Sequence, residues 1–370
     1  MSALRAVVVR PGRAAFGEIR RTQTWIRLFR AAGAEASDVK FLNLKSIRVR
    51  PTDAVRLRKA EIVPEAMVWS GARVRQELEE LKPDVVIMQT ARSYRRELLD
   101  GPWVSILDLV DRLSVSYRQR AAFASGRAKR SLLSGLATAH ERFELEARVR
   151  FPNLVTAGWG DAAALHATWI PNLLDPTQRP ERGREKPYDA VFFGSLGYAP
   201  NVEALRWLAE GEPTARAGLR VLVAGHAPAE EVRNLCESRG WDLVEDYPSN
   251  DWLAEQATIS LAPLQSTAGI QNKVLEAAIL GIPQVVTPSA LAGVSEGFPA
   301  VVAETPAEFV AQARRLIDDV SGRDQLADNA WSYAHANYTV DRWLPMLYTL
   351  INHGDSVAPT WVTHPERGGS

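Results

Sequence analysis

Short apolar runs alternate with longer amphipathic stretches through most of the chain. Residues 6–9 (AVVV) are apolar throughout and predict a buried strand. Residues 22–32 carry Trp25, Leu28, Phe29 and Ala32 at helical spacing and predict the helix that covers it. The same reading predicts a helix over residues 71–81, stopped by Pro83, and strands over 84–88, 103–109, 154–157 and 168–170. Strands that are apolar on every residue, rather than on alternate ones, predict a parallel sheet with helices on both faces.

Residues 174–188 (LDPTQRPERGREKPY) are polar, hold three prolines and read as a linker. The alternation then restarts, with strands over 190–193, 219–224, 259–262 and 284–287 and helices over 201–209, 229–239 and 270–280. Asn201 is placed to cap the first of these helices. Thr305-Pro306-Ala307-Glu308 is a capping box with proline at the first helical position; it opens a helix to about residue 320, with more helix to about 352. The expected fold is α/β, with two Rossmann-like doubly wound domains facing across a cleft. The domains span residues 1–172 and 173–335, followed by a C-terminal helix over 336–352 and a flexible tail over 353–370. In such sheets ligands sit beyond the carboxyl ends of the strands, so the loops after the strands are where chemistry belongs.

A length of 370 residues, with 46% hydrophobic and 24% charged, is ordinary for a globular chain of two to three domains. Charge changes the picture more. The formal net charge is zero, yet residues 1–172 hold 29 Lys+Arg against 18 Asp+Glu, and residues 173–370 hold 15 against 26. Such segregation suggests two bodies with different partners. Cys236 is the single cysteine, which excludes an internal disulfide and a cysteine-based metal cluster. No apolar run nears the roughly 18 residues of a membrane span, and the N-terminal run is too short for a signal peptide, so a cytoplasmic protein is expected.

The sharpest candidate for chemistry is residues 262–283, APLQSTAGIQNKVLEAAILGIP. A strand ends at Ala262, and a loop of small residues through Ala268 and Gly269 enters a helix with no bulky side chain in the way. Free backbone N–H groups and the helix dipole make that entrance suitable for an anion. Lys273 lies on the same helical face as Gly269 and adds a positive charge. Glu276, three residues on, is poorly placed for a phosphate but suited to accept hydrogen bonds from sugar hydroxyls. An amphipathic helix with two solvated charges is the plainer alternative. Gly194 and Ser195 form a second strand exit, where glycine allows close backbone approach and serine offers a hydroxyl and an amide; an ordinary strand-to-helix turn reads equally well. Gly225, His226 and Tyr247 lie at further exits of the same sheet. Tyr247 is suited to stack on a base or simply to cover the sheet end, and His226 reads as a solvated loop residue.

FFGSLGYAPNVEALRWL (192–208), VLVAGHAP (221–228) and APLQSTAGIQNKVLEAAILGIPQVVT (262–287), in that order and spacing, resemble the C-terminal domain of the family-4-type glycosyltransferases (glycosyl transferases group 1) of the GT-B fold. The likeness is nearest to the bacterial branch reading Gly-Ile-(Gln/Lys)-Asn-Lys-Val-Leu-Glu-Ala, and it extends over about residues 188–350. It implies transfer of a sugar from a nucleotide-sugar donor to an acceptor hydroxyl, with retention and without a metal or other cofactor. The donor would sit in the C-terminal domain and the acceptor in the N-terminal one. By this resemblance Glu276 matches the second Glu of the Glu-x7-Glu motif, which holds the nucleotide ribose. Gly269 and Ile270 match backbone amides near the diphosphate, and Lys273 matches a branch-typical lysine near the phosphates. Gln271, Gly194, Ser195, Gly225 and Tyr247 complete the expected donor set. The chain departs from the pattern at Ala268, which replaces the first motif Glu, and near Ser195 and Leu196, where the usual Arg is absent.

The N-terminal half offers further candidates. Asp111 lies at a strand exit facing the cleft, where it would orient or deprotonate an acceptor hydroxyl; capping of the next helix is the alternative. His140 lies in the following helical region, with the cleft or the surface as its alternatives. Gly12 belongs to the first strand-exit loop, which is placed to close over the diphosphate. Lys273, Asp111 and His140 are thus the expected catalytic groups. Residues 112–150 carry nine basic against three acidic side chains, with Phe123, Leu132 and Leu133 between them. This suits peripheral contact with an anionic membrane or an anionic acceptor, while a solvated helix face is the plain reading. No recognised motif points to nucleic acid. Two rival functions stay open: a nucleotide-sugar epimerase on the same fold, and a degenerate, non-catalytic nucleotide-sugar-binding partner protein.

Overall fold

A computed structural model describes residues 4–11, 16–41, 55, 59, 61–68, 71–122, 124, 126–178, 183–211, 218–267 and 269–352. Two six-stranded sheets, each with every strand parallel to its neighbours, organise the chain. The first contains β1 (Arg5–Pro11), β2 (Glu35–Phe41), β3 (Val85–Gln89), β4 (Val104–Asp108), β5 (Leu154–Thr156) and β6 (Thr168–Trp169), in the order β2-β1-β3-β4-β5-β6. Its helices are α1 (Phe16–Ala31), α2 (Gly71–Leu81), α3 (Leu113–Ala122), α4 (Arg127–Arg150) and α5 (Trp159–Leu165). The second contains β7 (Tyr188–Ser195), β8 (Val221–His226), β9 (Asp242–Glu245), β10 (Ala257–Ala262), β11 (Gln284–Val286) and β12 (Val301–Val302), in the order β12-β11-β10-β7-β8-β9. Around it stand α6 (Ala199–Gly211), α7 (Glu230–Arg239), α8 (Asn250–Gln256), α9 (Asn272–Ile279), α10 (Pro288–Leu291) and α11 (Pro306–Asp318). α12 (Val320–Tyr338) and α13 (Val340–Asn352) follow.

The apolar runs are the sheet centres, as their pattern predicts. Val7, Val8 and Val9 of β1, and Val85 to Met88 of β3, are buried, as are Val191 to Phe193 of β7. Two covered faces leave no position for a polar side chain, which is why these strands do not alternate. β2 escapes the sequence reading because EASDVKF is mostly polar: it is an edge strand, with β1 on one side only. α1 begins well before residue 22. Arg21 sits in its buried face, and a charge there breaks the apolar period that marks a helix.

The halves are tied together at several points. α13 returns to pack on α1. Trp169 of β6 meets Trp159, Tyr338 and Trp343 edge-on, at 5.1, 6.1 and 4.9 Å between ring centres. The Trp159 N–H donates to the Gly293 carbonyl at 2.9 Å, and Asn172 Nδ2 donates to Asn272 Oδ1 at 2.8 Å. In each sheet the strand order reverses once, between β1 and β3 and between β7 and β10. A crevice opens at such a reversal, so the exits of β7 and β10 flank the crevice of the second sheet.

The Thr305 cap forms, with Oγ1 accepting from Glu308 N at 3.3 Å, but the reciprocal bond of a capping box is shifted by one residue: Glu308 Oε2 accepts from Glu304 N at 3.0 Å, not from Thr305 N. Two of the shifted boundaries bear on the site. Asn201 does not cap α6, which already starts at Ala199; its side chain turns away to the β7 exit. The helix expected from residue 270 starts at Asn272, because Gly269 has a left-handed φ of +65° and Gln271 is extended.

Candidate active site

The loop from Ala262 to α9 brings its small residues to the cleft, and α9 follows with Lys273 in its first turn. Lys273 Nζ donates to Asn201 Oδ1 at 2.7 Å and lies 4.1 Å from the centre of the Phe192 ring. A Cβ on Gly194 would stand 3.4 Å from that nitrogen, so the lysine crosses from α9 to the β7 exit. Asn201 Nδ2 donates to the Ser195 carbonyl at 2.8 Å, and a single amide thus ties the β7 exit to the ammonium. Burial pulls the Lys273 pKa down to about 7. Glu276, one turn further, is buried and meets the guanidinium of Arg20, which arrives from α1 across the cleft.

Asp111 approaches the same loop from the opposite side. A Cβ on Gly269 would lie 2.7 Å from the Asp111 Cβ, so the two chains pass here with room for a hydrogen only. Burial first, then the Asp161 carboxylate, raises the Asp111 pKa to about 7; Arg92 opposes this, and Glu144 and Glu18 add to it. Asp161 is itself raised to about 6, chiefly by burial, although the Arg112 N–H and guanidinium pull the other way. The Asp111 loop is set by Asp108 at the end of β4. Asp108 Oδ1 accepts from the Val110 N–H at 2.9 Å, and Oδ2 accepts from Arg21 Nε and Trp25 Nε1, both at 2.6 Å. Val110 takes a left-handed φ of 65°, which turns the chain out of the strand toward the cleft.

His140 corrects the sequence expectation. It neither faces the cleft nor lies on the surface, but is fully buried within the first half. It falls on the inward stripe of α4 with Leu133, Ala137, Glu144 and Ala147, whose three- and four-residue spacing sends all of them inside. Its Nε2 pairs with Glu65 Oε2 at 2.9 Å, and its ring lies 5.2 Å from that of Tyr117. Burial pushes the Glu65 carboxyl up, but His140 and the Tyr117 hydroxyl outweigh it and hold the pKa at about 2. Arg92, which also meets Glu18 at 3.1 Å, joins this network from the exit of β3.

The other candidates divide. Ser195 is exposed at the β7 exit, and Gly194, Gly269 and Ile270 stand around Lys273 and the loop before α9. Gln271 supplies the N-cap position of α9. Tyr247 stacks on Trp252 at 6.3 Å and lies within electrostatic reach of Arg20. Gly225 does not line the cleft: a Cβ there would overlap the Gly194 carbonyl, so this glycine lets β8 pack against β7. His226 is exposed and pairs with Asp246 at 3.0 Å. Gly12, Ala268, Phe123 and the tail over 353–370 lie outside the described residues. Sequence reasoning missed Arg20, Asp161 and the Asn201–Lys273 link. A basic stretch around residues 1–60 surrounds Arg20, but nothing local distinguishes it from its neighbours.

The segment that carries β7 to α11 has known counterparts. Residues 187–319 match the family model described as Glycosyl transferases group 1. They form a glycosyltransferase domain within the chain. No curated protein sequence matches the chain. Among solved structures, it is similar to sucrose-phosphate synthase from Thermosynechococcus elongatus, with 11% identity, TM-score 0.64, and 94% of this chain and 98% of that one covered. A glycosyltransferase from Rickettsia africae matches with 8% identity, TM-score 0.63 and coverages of 96% and 100%. Anabaena HepE in complex with UDP matches with 12% identity, TM-score 0.59 and coverages of 94% and 99%. At such identities the likeness is one of fold, and the fold is GT-B. The group 1 match favours sugar transfer over the epimerase alternative. Among the described residues, no helix is long and apolar enough to cross a membrane.

Proposed function

We propose that the enzyme moves a sugar from a nucleoside diphosphate sugar to an acceptor hydroxyl, with retention and without a metal. The observation that carries this reading is the placement of Lys273. It is a half-buried cation held by Asn201 at the exit of one central strand and by its own helix at the exit of the next, with Glu276 one turn away. Lys273 would face the diphosphate, Glu276 the ribose hydroxyls, and the Gly269–Ile270 backbone the departing phosphate. Negative charge grows on the leaving diphosphate as the glycosidic bond breaks, and a preorganised ammonium in a dry site stabilises that charge without reorganising. Asp111, opposite Gly269, would orient the acceptor hydroxyl or take its proton. Anabaena HepE, with UDP in one structure and UDP-glucose in another, supports uridine nucleotides as the first donors to try. The basic face over residues 112–150, with Leu132 64% exposed, suits an acceptor presented at an anionic membrane.

A thermal-shift screen of UDP-, GDP- and dTDP-sugars tests the reading. A donor at about 100 times its dissociation constant adds roughly 2.7 kcal/mol and raises the melting temperature by several degrees. Release of the matching nucleoside diphosphate, faster with acceptor than without, then separates a transferase from a binding protein. A screen with no shift for any base, and no release, ends the proposal.

A further inference from the structure

The groups that touch the half-buried Lys273 ammonium are uncharged. Asn201 Oδ1 accepts from its Nζ at 2.7 Å, and the centre of the Phe192 ring lies 4.1 Å away. Among the described residues no carboxylate pairs with it, and burial, with no charged neighbour contributing, is what lowers its pKa. Glu276, the one carboxylate of α9, is engaged by Arg20. A charge drawn out of water is costly without a counter-charge, so a carboxylate is the usual partner for such an ammonium. Here an amide of the same shape stands in its place.

That amide has one orientation. Its Nδ2 donates to the Ser195 carbonyl at 2.8 Å; turned over, it would set an NH2 group against the ammonium and an oxygen against the carbonyl. Asn201 is buried in the first turn of α6, and its N–H donates to the Tyr198 carbonyl at 2.9 Å, so backbone and side chain are both fixed. Gly194 keeps the space beside the pair open, since a Cβ there would lie 3.2 Å from Asn201 Nδ2 and 3.4 Å from Lys273 Nζ. An ammonium carries three N–H donors, so one bond to Asn201 aims the nitrogen and leaves donors for an entering anion. A carboxylate at position 201 would neutralise the lysine before any phosphate arrived.

We infer that Asn201 is a positioning residue for the leaving group: it aims the Lys273 ammonium at the diphosphate and, being a neutral amide, leaves the positive charge to the phosphates. It acts through Lys273 and has no need to touch the nucleotide. Its second bond, to Ser195, fixes the cation to the β7 exit while the cleft fills. The inference rests on the donor-site reading above.

Binding of UDP by calorimetry, and of uridine by competition with UDP, is compared in the wild type, Asn201→Asp and Asn201→Ala. The guanosine, thymidine or adenosine pair replaces the uridine pair if that is the one the wild type binds. Protonation of Lys273 is read separately, without ligand, from the pH dependence of its acetylation by acetic anhydride, followed by peptide mass spectrometry. In Asn201→Asp the new carboxylate pairs with the lysine. Affinity for the diphosphate falls about 10-fold or more while the nucleoside binds as before. The labelling midpoint rises by about one pH unit or more. Asn201→Ala loses the same bond to Ser195 without adding charge, so its diphosphate affinity falls less and its midpoint does not rise. Equal losses in the two variants, or an unmoved midpoint in Asn201→Asp, make Asn201 a brace for the β7 exit and overturn the inference. Wild-type diphosphate affinity in Asn201→Asp, or a nucleoside weakened as much as the diphosphate, overturns it too. A melting curve confirms that each variant is folded. Failure of the donor-site reading looks different: no nucleoside diphosphate binds the wild type, while the labelling midpoint of Lys273 still moves with position 201.

Discussion

Asp111 and Gly269 meet across the cleft so closely that a methyl group on the glycine would stand 2.7 Å from the aspartate Cβ. The loop before α9 and the loop after β4 therefore close on each other only because position 269 has no side chain. The left-handed φ of +65° at Gly269 adds a second reason for glycine there. Gly269→Ala combines backbone strain with this collision. The expected result is a stably folded enzyme with kcat lowered about 10-fold or more, as a misplacement near 1 Å at reacting groups does. Normal turnover in this variant would separate the Asp111–Gly269 approach from the chemistry.

Lys273→Ala and Glu276→Gln differ in what they remove. Lys273 faces charge that increases in the transition state, so its loss lowers kcat, by about 10²-fold or more. Ribose hydroxyls do not change charge during transfer, so Glu276→Gln chiefly raises the donor KM, by about 1.5–3 kcal/mol of charge-assisted hydrogen bonding. Steady-state kinetics with circular dichroism as the folding control decides the pair. Near-normal kinetics in both removes the donor site from α9.

Two pKa values near 7 give the pH dependence its shape. Asp111 acts as a base only when deprotonated, so activity rises as pH climbs through about 7. Lys273 stabilises the leaving group only when protonated, so activity falls as pH climbs through about 7. The kcat/KM profile, which reports the free enzyme, is a narrow bell centred near neutrality. Asp111→Asn removes the acid limb from the residual activity, and Lys273→Ala the alkaline one. A flat profile between pH 6 and about 8 contradicts both assignments.

Stability should respond to Asp111 with the opposite sign. Its folded pKa of about 7 lies above the ordinary 3.8, so the native protein holds this proton more tightly than the unfolded chain does. That contribution is present below about pH 4 and is lost as pH rises through 7, where the charged carboxyl is buried at a cost. Asp111→Asn is therefore expected to raise the melting temperature at pH 8 and to change it little at pH 4. An unchanged or lower melting temperature at pH 8 counts against the burial of this charge.

Arg21 is the structural counterpart of Arg20, one residue away and fully buried against Asp108. Arg21→Met leaves Asp108 charged and without its ion pair, and costs about 3–5 kcal/mol. Because Asp108 also holds the Val110 N–H, the Asp111 loop loosens with it. Urea unfolding measures the loss, and a change below about 1 kcal/mol shows that the pair is dispensable.

Arg127, Lys129 and Arg130 are exposed together on α4 beside exposed Leu132. Reversing their three charges should weaken sedimentation with anionic liposomes, by about 1 kcal/mol for each removed basic residue near the surface. Binding of the unchanged enzyme that is absent even at low salt refutes a membrane role for this face.

The strand exits, the succession of strands and helices, and the helix bearing Lys273 and Glu276 were legible in the sequence, because their signals are local. An unbroken apolar run means a strand covered on both faces, and a small-residue loop before an amphipathic helix leaves its first N–H groups open. What the two charges on that helix touch was decided elsewhere. Arg20 meets Glu276 only because α1, fastened to residues 170–175 by Arg21 and Thr24, is carried against α9 by the packing of the two halves. Asn201 looked like a helix cap and became the partner of Lys273, since β7 and β10 are neighbours in the sheet though far apart in the chain. His140 looked available and is buried, because only the packed tertiary structure decides which stripe of α4 faces inward. Periodicity reports how much of a segment is covered. Which residues cover it, and across which gap, depends on contacts between distant segments, and those exist only once both sheets have formed.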